Sequence, residues 1–175
     1  MNILVTGSNG QLGNEFKKIA MFEVNHNWTF TDIDTLDICK EDSVSRFFTE
    51  NNIDICINCA AYTAVDKAED EEELARKINA DAVKILADTC KSNKSLLIHI
   101  STDYVFDGTS IRPYLENDPV SPNCVYGKTK AQGEQNIISS GCNYIIVRTS
   151  WLYSSFGNNF VKTMLRLGSE RKFVN

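Results

Sequence analysis

The stretch NILVTGSNGQLG, residues 2–13, decides the fold. An apolar run over 2–6 leads into three glycines with the spacing GxxGxxG, Gly7, Gly10 and Gly13, and these open a predicted helix over 11–21. In such a strand–turn–helix unit the first glycine permits a tight turn, the second lets the backbone approach a pyrophosphate, and the third allows close helix–strand packing. The helix N-terminus then offers free N–H groups to phosphate oxygens. The stretch therefore predicts a dinucleotide-binding turn.

An acidic residue follows this turn at the distance that a dinucleotide site requires. Asp32 lies 19 residues after Gly13, at the end of a second predicted strand over 28–32. A carboxylate there can accept hydrogen bonds from the ribose hydroxyls of an adenosine. Its charge would repel a 2′-phosphate, so Asp32 modestly favours NADH over NADPH.

Strand-like apolar runs alternate with helical patterns along the whole chain. Further strands are predicted over 53–59, 95–101 and 144–149, and further helices over 42–51, 69–93, 125–139 and 158–171. This alternation indicates a parallel sheet covered on both faces, so we predict one doubly wound, three-layer α/β domain of the Rossmann type over residues 1–175. Residues 172–175 resemble the start of another strand, and we therefore expect the chain to be truncated.

The composition excludes several classes of protein. The 175 residues are 42% hydrophobic, and 18 Lys and Arg against 23 Asp and Glu give a net charge of −5. A globular protein of this charge without a basic run is a poor candidate for binding nucleic acid or an anionic membrane. The longest apolar runs are far shorter than the roughly 20 residues that cross a bilayer. The N-terminus lacks the pattern of a secretory signal, so we expect a cytoplasmic protein.

The six cysteines include a CxxC pair, Cys56 and Cys59, which has the spacing of a redox or zinc half-site. The pair lies in a predicted strand, no second pair follows, and His26 and His99 are isolated. We therefore expect reduced thiols in the core and predict no metal site.

A tyrosine and a lysine stand four residues apart near the start of the helix predicted over 125–139. Tyr126 and Lys130 would share one helix face, one turn apart. An ammonium beside a phenol lowers the phenol's pKa from its usual value of about 10 towards neutrality, which suits acid–base catalysis. The alternative is a solvated helix face. Ser101 and Thr102 end the fourth predicted strand, and ligands bind outside the carboxyl ends of such strands, so all of these groups can meet in one crevice.

With these residues assembled, the chain resembles the extended short-chain dehydrogenase/reductases, and among them the dTDP-4-dehydrorhamnose reductases. The most specific matching strings are TAVDKAE over 63–69 and STDYVFDG over 101–108, with VYGKTK over 125–130 and RTSWLY over 148–153. Dehydratases of similar fold carry an Asp-Glu pair where this chain has Asp103 and Tyr104. The resemblance therefore favours simple keto reduction over elimination.

The resemblance also implies roles for individual residues. Tyr126 would be the general acid that protonates the keto oxygen of a sugar, Lys130 would hold the nicotinamide ribose, and Thr102 would donate a hydrogen bond to the carbonyl. Asp103, Val65 and Trp151 would contact the substrate, although Trp151 could instead be a core or lid aromatic. The residues implied to bind the cofactor are Gly7, Asn9, Gly10, Gln11, Leu12, Gly13, Asp32, Asp37, Ile38, Ala60, Ala61, Tyr62, Tyr126 and Lys130.

The implied activity is reduction of dTDP-4-dehydro-L-rhamnose to dTDP-L-rhamnose by NADH or NADPH, for surface polysaccharide synthesis. Two alternatives stay open: an epimerase or reductase of another nucleotide sugar, and a non-catalytic NAD(P)-binding regulatory subunit. The family's chain continues into a segment that supplies most of the nucleotide-sugar pocket, so we expect the C-terminal substrate region to be absent here. Some members bind Mg²⁺ at a homodimer contact. Glu15 matches one position involved, but the other ligands would lie in the absent part.

Overall fold

A computed structural model describes residues 1–171, and the strand expected over 172–175 lies outside them. Within the described residues the strands form one parallel sheet in the order β2-β1-β3-β4-β5. The strands are β1 (Asn2–Thr6), β2 (Asn27–Phe30), β3 (Ile55–Asn58), β4 (Leu96–Thr102) and β5 (Asn143–Thr149). The predicted parallel sheet is therefore confirmed, with strand ends shifted by up to two residues.

Helices cover both faces of the sheet. They are α1 (Gln11–Ala20), α2 (Glu41–Asn51), α3 (Val65–Ala68), α4 (Glu72–Arg76), α5 (Ala82–Asn93), α6 (Val125–Ser140) and α7 (Phe160–Glu170). On one face α2, α5 and α6 pack on the sheet through buried side chains such as Phe48, Leu86 and Ile137. On the other face Phe16 of α1 packs beside Trp28 against the apolar side of β1 and β3. The arrangement confirms the doubly wound, three-layer prediction.

The long helix predicted over 69–93 forms over residues 72–93, so it begins three residues later than predicted. It consists of α4 and α5 with a turn of π-helix at Lys77–Asp81 between them, and the short helix α3 precedes it. The π turn places Asn79 in the interior, where its side chain bonds to the backbone of Tyr62 and to Thr129. Glu69, expected in the first helical turn, accepts a hydrogen bond from the N–H of Val125 and so caps α6. The helical periodicity therefore predicts this helix but not its π turn or the capping role of Glu69.

All six cysteines are free thiols. Cys56 is buried in the core beside Cys90, whereas Cys59 reaches the wall of the cavity described below. The CxxC spacing thus directs its two side chains to different surroundings. Within residues 1–171, we find no helix with the length and apolar content needed to cross a bilayer.

The order of the strands fixes where a ligand can bind. β1 pairs with β2 on one side and with β3 on the other, so the chain reverses its direction of travel across the sheet after β2. A crevice forms at such a switch point, outside the carboxyl ends of the strands. At the far edge, β5 pairs with β4 and, in the described part of the chain, has no partner on its other side; Tyr144, Ile145 and Val147 are exposed there.

Candidate active site at the carboxyl edge of the sheet

A cavity of about 700 Å³ opens at the carboxyl ends of β1, β3 and β4. Its volume lies within the usual range for small-molecule sites. The glycine turn forms one end of its wall, and Thr102, Tyr126 and Lys130 also line it. The structure therefore brings together the three groups of residues that the sequence places on separate elements.

The glycine turn has the backbone geometry that its spacing predicts. Gly7 adopts a φ of +63°, and a Cβ at this position would lie 2.6 Å from the backbone of Ala60. A Cβ at Gly13 would lie 2.5 Å from the Cα of Ser8, so α1 can pack this closely on the turn because residue 13 is glycine. At Gly10, which precedes α1, no side chain caps the helix. The first helical turn, Gln11 to Gly13, lines the cavity, so a phosphate oxygen there could accept from its free N–H groups.

Asp32 follows β2 and lies in the cavity wall. Its carboxylate accepts hydrogen bonds from the backbone N–H groups of Asn9 and Ile33, both at 2.9 Å. These bonds join the end of β2 to the glycine turn. Each carboxylate oxygen can accept more than one hydrogen bond, so acceptor capacity for a ribose hydroxyl remains.

Tyr126 stands in the first turn of α6, against the edge of the Tyr104 ring at a centroid distance of 5.6 Å. Burial raises the pKa of the Tyr126 phenol above its usual value, and the nearby Thr102 hydroxyl acts in the opposite direction. The Thr102 hydroxyl donates to Asp103 at 3.1 Å and accepts from the N–H of Tyr104 at 3.2 Å. Tyr126 is therefore a protonated phenol at neutral pH, which is the form that can donate a proton.

Lys130 does not tune Tyr126 in the way that the spacing predicts. Its ammonium nitrogen lies 2.7 Å from the carbonyl oxygen of Ile100 and 3.2 Å from Nε2 of His99. Burial lowers the pKa of Lys130 to about 8. The expected fall in the pKa of Tyr126 is thus contradicted, because the lysine contacts β4 and burial dominates the phenol's surroundings.

Ser101 contributes to a neighbouring buried ion pair. Its hydroxyl donates to Glu134, whose carboxylate also accepts from Arg148 at 2.7 and 3.0 Å. Glu134 stands one helical turn after Lys130, on the same helix. The Ser101 hydroxyl therefore fixes the end of β4 to α6, and Thr102 is the residue of the pair whose hydroxyl lies near Tyr126.

Most of the residues implied to bind a cofactor lie in the cavity wall. These are Gly7, Gly10, Gln11, Leu12, Gly13, Asp32, Asp37, Ile38, Ala60, Ala61, Tyr126 and Lys130. Asn9 and Tyr62 are not among the lining residues. The Asn9 side chain accepts from Lys17 at 3.1 Å on the outside of the turn, and the Tyr62 hydroxyl donates to Glu71 at 2.6 Å. Those contacts direct both side chains away from the cavity.

The residues implied to contact a substrate line the same cavity. Asp103 accepts hydrogen bonds from the hydroxyls of Thr102 and Ser150, and Val65 begins α3. Trp151 is 72% exposed and packs edge-on against Phe160, with a backbone φ of +55° that non-glycine residues seldom adopt. Trp151 is therefore a surface aromatic over the cavity and not a core residue.

The sequence analysis missed several residues of the cavity wall. Cys59 lines the cavity beside Lys130, and Gly157 and Asn158 close the end nearest to Gln11. The position of Cys59 just after β3 could have indicated it, because residues at strand ends face the crevice. Glu15, the position matched to a metal ligand, forms an ion pair with Lys18 at 3.3 Å.

The parallel sheet, its switch point and the glycine turn after β1 define a Rossmann-type α/β protein. The comparisons with known proteins narrow this class: the chain belongs to the family described as the RmlD substrate binding domain, whose family model matches residues 1–175. It is 42% identical over 172 residues to the dTDP-4-dehydrorhamnose reductase of Aggregatibacter actinomycetemcomitans, covering 98% of this chain and 58% of that protein. The resemblance to these reductases is thus confirmed.

Solved structures give the same result. A dTDP-4-dehydrorhamnose reductase from Clostridium acetobutylicum matches with a TM-score of 0.93 and 48% identity, over 97% of this chain and 60% of that one. The reductase from Bacillus anthracis, solved in complex with NADP, matches with a TM-score of 0.92 and 42% identity, over 97% of this chain and 60% of that one. The chain therefore spans somewhat more than half the length of the relatives that it matches.

Proposed function

We propose that this chain is the nicotinamide-dinucleotide-binding part of a reductase that converts dTDP-4-dehydro-L-rhamnose to dTDP-L-rhamnose. One observation carries the proposal: the glycine turn and the Tyr126–Lys130 pair line the same cavity. The likeness to dTDP-4-dehydrorhamnose reductases supports the choice of substrate. We assign the domain to residues 1–175 and propose a cytoplasmic location for it.

The wall of the cavity suits a dinucleotide along its length. The uncapped start of α1 at Gly10 would hold the pyrophosphate, and Asp32 would accept from the adenosine ribose. Lys130 holds the ribose at the other end. Asp32 favours NADH over NADPH because a carboxylate repels a 2′-phosphate. A bound nicotinamide dinucleotide supplies the hydride for the reaction.

The groups at the other end of the cavity provide the proton. Tyr126 donates its phenolic proton to the keto oxygen as the negative charge develops there, and its raised pKa keeps the proton in place until then. The Thr102 hydroxyl donates a hydrogen bond to the same oxygen. Asp103, Val65 and Trp151 orient the sugar. Asp103 in turn accepts a hydrogen bond from the Ser150 hydroxyl at 2.8 Å.

Two experiments test the proposal, one on the 175-residue chain and one on a protein with the length of its relatives. The 175-residue chain is titrated with NADH and NADPH by calorimetry, and we expect saturable binding of both. Turnover is followed as loss of NADH absorbance with dTDP-4-dehydro-L-rhamnose, in a protein that carries this chain and has the length of its relatives. Tyr126→Phe should lower kcat by at least about 100-fold and leave cofactor affinity unchanged. Tyr144→Phe, which removes a hydroxyl from the exposed face of β5, should keep full turnover.

The alternatives give different results in the same assays. Binding of a dinucleotide without turnover of any nucleotide sugar would favour a regulatory subunit. Turnover of a different nucleotide sugar would favour another reductase or epimerase of this fold. Unchanged turnover in Tyr126→Phe would remove the proposed acid.

A further inference from the structure

A chain of buried hydrogen bonds runs behind the cavity from β1 to α6. The Thr6 hydroxyl donates to Oδ1 of Asn58 at 2.7 Å, and Nδ2 of Asn58 lies 3.1 Å from Nδ1 of His99. Nε2 of His99 lies 3.2 Å from Nζ of Lys130. The side chains of Asn58 and His99 are completely buried, so water does not compete for these contacts. Neither residue has a part in the proposed reaction.

The backbone fixes the orientation of the Asn58 amide. The N–H of Ala60, which can only donate, points at Oδ1 of Asn58 at 3.2 Å. A flipped amide would place its NH₂ group against this N–H, so the NH₂ group must face His99. Nδ2 of Asn58 therefore donates to Nδ1 of His99.

This bond determines the tautomer of His99. A neutral imidazole whose Nδ1 accepts a hydrogen bond carries its proton on Nε2. Burial lowers the pKa of His99 well below its usual value, so the ring is neutral at physiological pH. The Nε2–H then points at Nζ of Lys130. An ammonium has no lone pair to accept this hydrogen, whereas an amine has one.

The other groups that face Lys130 only weakly stabilise its ammonium form. Burial lowers the pKa of Lys130 to about 8, against the opposing effects of Glu134 on its own helix and Cys59 on the β3 side. Glu134 is itself neutralised by Arg148 of β5 at 2.7 Å. Tyr126 precedes Lys130 by one turn and is a neutral phenol. The carbonyl of Ile100 accepts from either form of the lysine.

We propose that His99, oriented by Asn58, is a positioning residue that directs its Nε2–H at Lys130 and so favours the neutral amine form of this lysine over the ammonium. This inference rests on the proposed function only where it concerns the cofactor. A ribose hydroxyl that binds Nζ offers a new acceptor and favours the ammonium form of Lys130. Above about pH 8, where the free chain carries mostly the amine, cofactor binding therefore takes up a proton from solvent.

The charge and the tautomer can be measured in the 175-residue chain without a ligand. Long-range ¹H–¹⁵N spectra give the tautomer of His99, and the ¹³Cε shift of labelled lysine, assigned with Lys130→Arg, gives the titration of Lys130. We expect the Nε2–H tautomer and a midpoint at or below about 8, well below those of the exposed lysines. A proton on Nδ1, or a lysine that titrates with the surface lysines, would overturn the proposal.

Two substitutions test whether the side-chain amide of Asn58, and not packing alone, sets the tautomer of His99. In Asn58→Asp the new carboxylate still accepts from Ala60 and Thr6 but now also accepts from Nδ1–H, so the tautomer should invert and the midpoint of Lys130 should rise by more than one pH unit. In Thr6→Val the Ala60 contact still orients Asn58, so the tautomer should stay as in the wild type. Inversion in Thr6→Val, or none in Asn58→Asp, would contradict the assignment. Where Asn58→Asp does not fold, the wild-type tautomer decides.

Calorimetry in buffers of different ionisation enthalpy tests the coupling to the cofactor. We expect uptake of most of one proton per NADH bound at pH 8.5 and almost none at pH 6.5, where Lys130 is already charged. Binding without uptake at pH 8.5 would overturn the coupling. If no dinucleotide binds, the proposed function fails, while the NMR result still decides the role of His99.

Discussion

The side-chain amide of Asn79 holds the backbone of Tyr62 from both sides. Oδ1 of Asn79 accepts from the N–H of Tyr62 at 2.9 Å, and Nδ2 donates to the Tyr62 carbonyl at 3.1 Å. The same Nδ2 lies 3.2 Å from the Thr129 hydroxyl, next to Lys130. The π turn that carries Asn79 thus connects the cavity wall at Ala60 and Ala61 to helix α6.

Asn79→Ala should destabilise the fold by about 2–3 kcal/mol, because it leaves the part-buried N–H and carbonyl groups of Tyr62 without their side-chain partners. The measurement is the free energy of unfolding in urea. Asn93→Ala is the matched control. It loses only a hydrogen bond to the Thr89 carbonyl within its own helix and should cost less than about 1 kcal/mol. Equal costs for the two variants would show that Asn79 does not hold the wall.

Alanine at two helical glycines should have opposite effects. At Gly13 the added Cβ would lie 2.5 Å from backbone of the glycine turn, so we expect a loss of about 2–3 kcal/mol. At Gly168 in α7 nothing lies within 4 Å of the Cβ, and alanine should add about 0.5–1 kcal/mol through its higher helix propensity. Thermal unfolding of both variants checks the prediction. A stable Gly13→Ala would mean that α1 need not pack so closely.

Asp32→Ala should shift cofactor preference towards NADPH by about tenfold, which corresponds to about 1.4 kcal/mol. The substitution removes the charge that opposes a 2′-phosphate. It should also weaken NADH binding, because the carboxylate orients the turn through Asn9. Affinities for both dinucleotides are measured by calorimetry, with the exposed Asp34→Ala as control. A ratio that stays constant would show that Asp32 does not face the adenosine ribose.

His99 should make the fold sensitive to mild acid. Its pKa in the folded chain is well below the value of about 6.5 expected when unfolded, so the unfolded state takes up a proton first as the pH falls. Stability should therefore decline below about pH 6.5. His99→Gln should show a shallower decline between pH 6.5 and 5 in urea unfolding, with His26→Gln as the control for replacing a histidine. Parallel curves for wild type and His99→Gln would contradict this assignment.

The sequence predicts most of the α/β fold and the main residues that line the cavity. The strand–turn–helix unit at residues 2–13 is local, and its glycines have steric roles that any similar unit shares. The placement of Tyr126, Lys130 and Thr102 at one edge follows from parallel strands, whose carboxyl ends meet. Predictions of this kind hold because they depend on short segments and on sheet topology.

What the sequence does not predict depends on contacts between distant segments. The π turn carries Asn79, which bonds to Tyr62, 17 residues earlier, and to Thr129, 50 residues later. The same holds for Lys130, whose spacing from Tyr126 suggests a partner on its own helix, although its contacts lie on β4. His99 stands alone in an apolar strand, and its partner Asn58 is 41 residues away.

Among residues 1–171, β5 has no strand on one side, and this has a consequence for handling the protein. Unpaired backbone N–H and carbonyl groups along an edge strand can pair with an extended segment of another molecule. The exposed side chains of Tyr144, Ile145 and Val147 add apolar surface beside them. Concentrated solutions of the isolated chain should therefore self-associate through this edge. A lysine at Ile145 would be a simple way to keep the chain monomeric during spectroscopy.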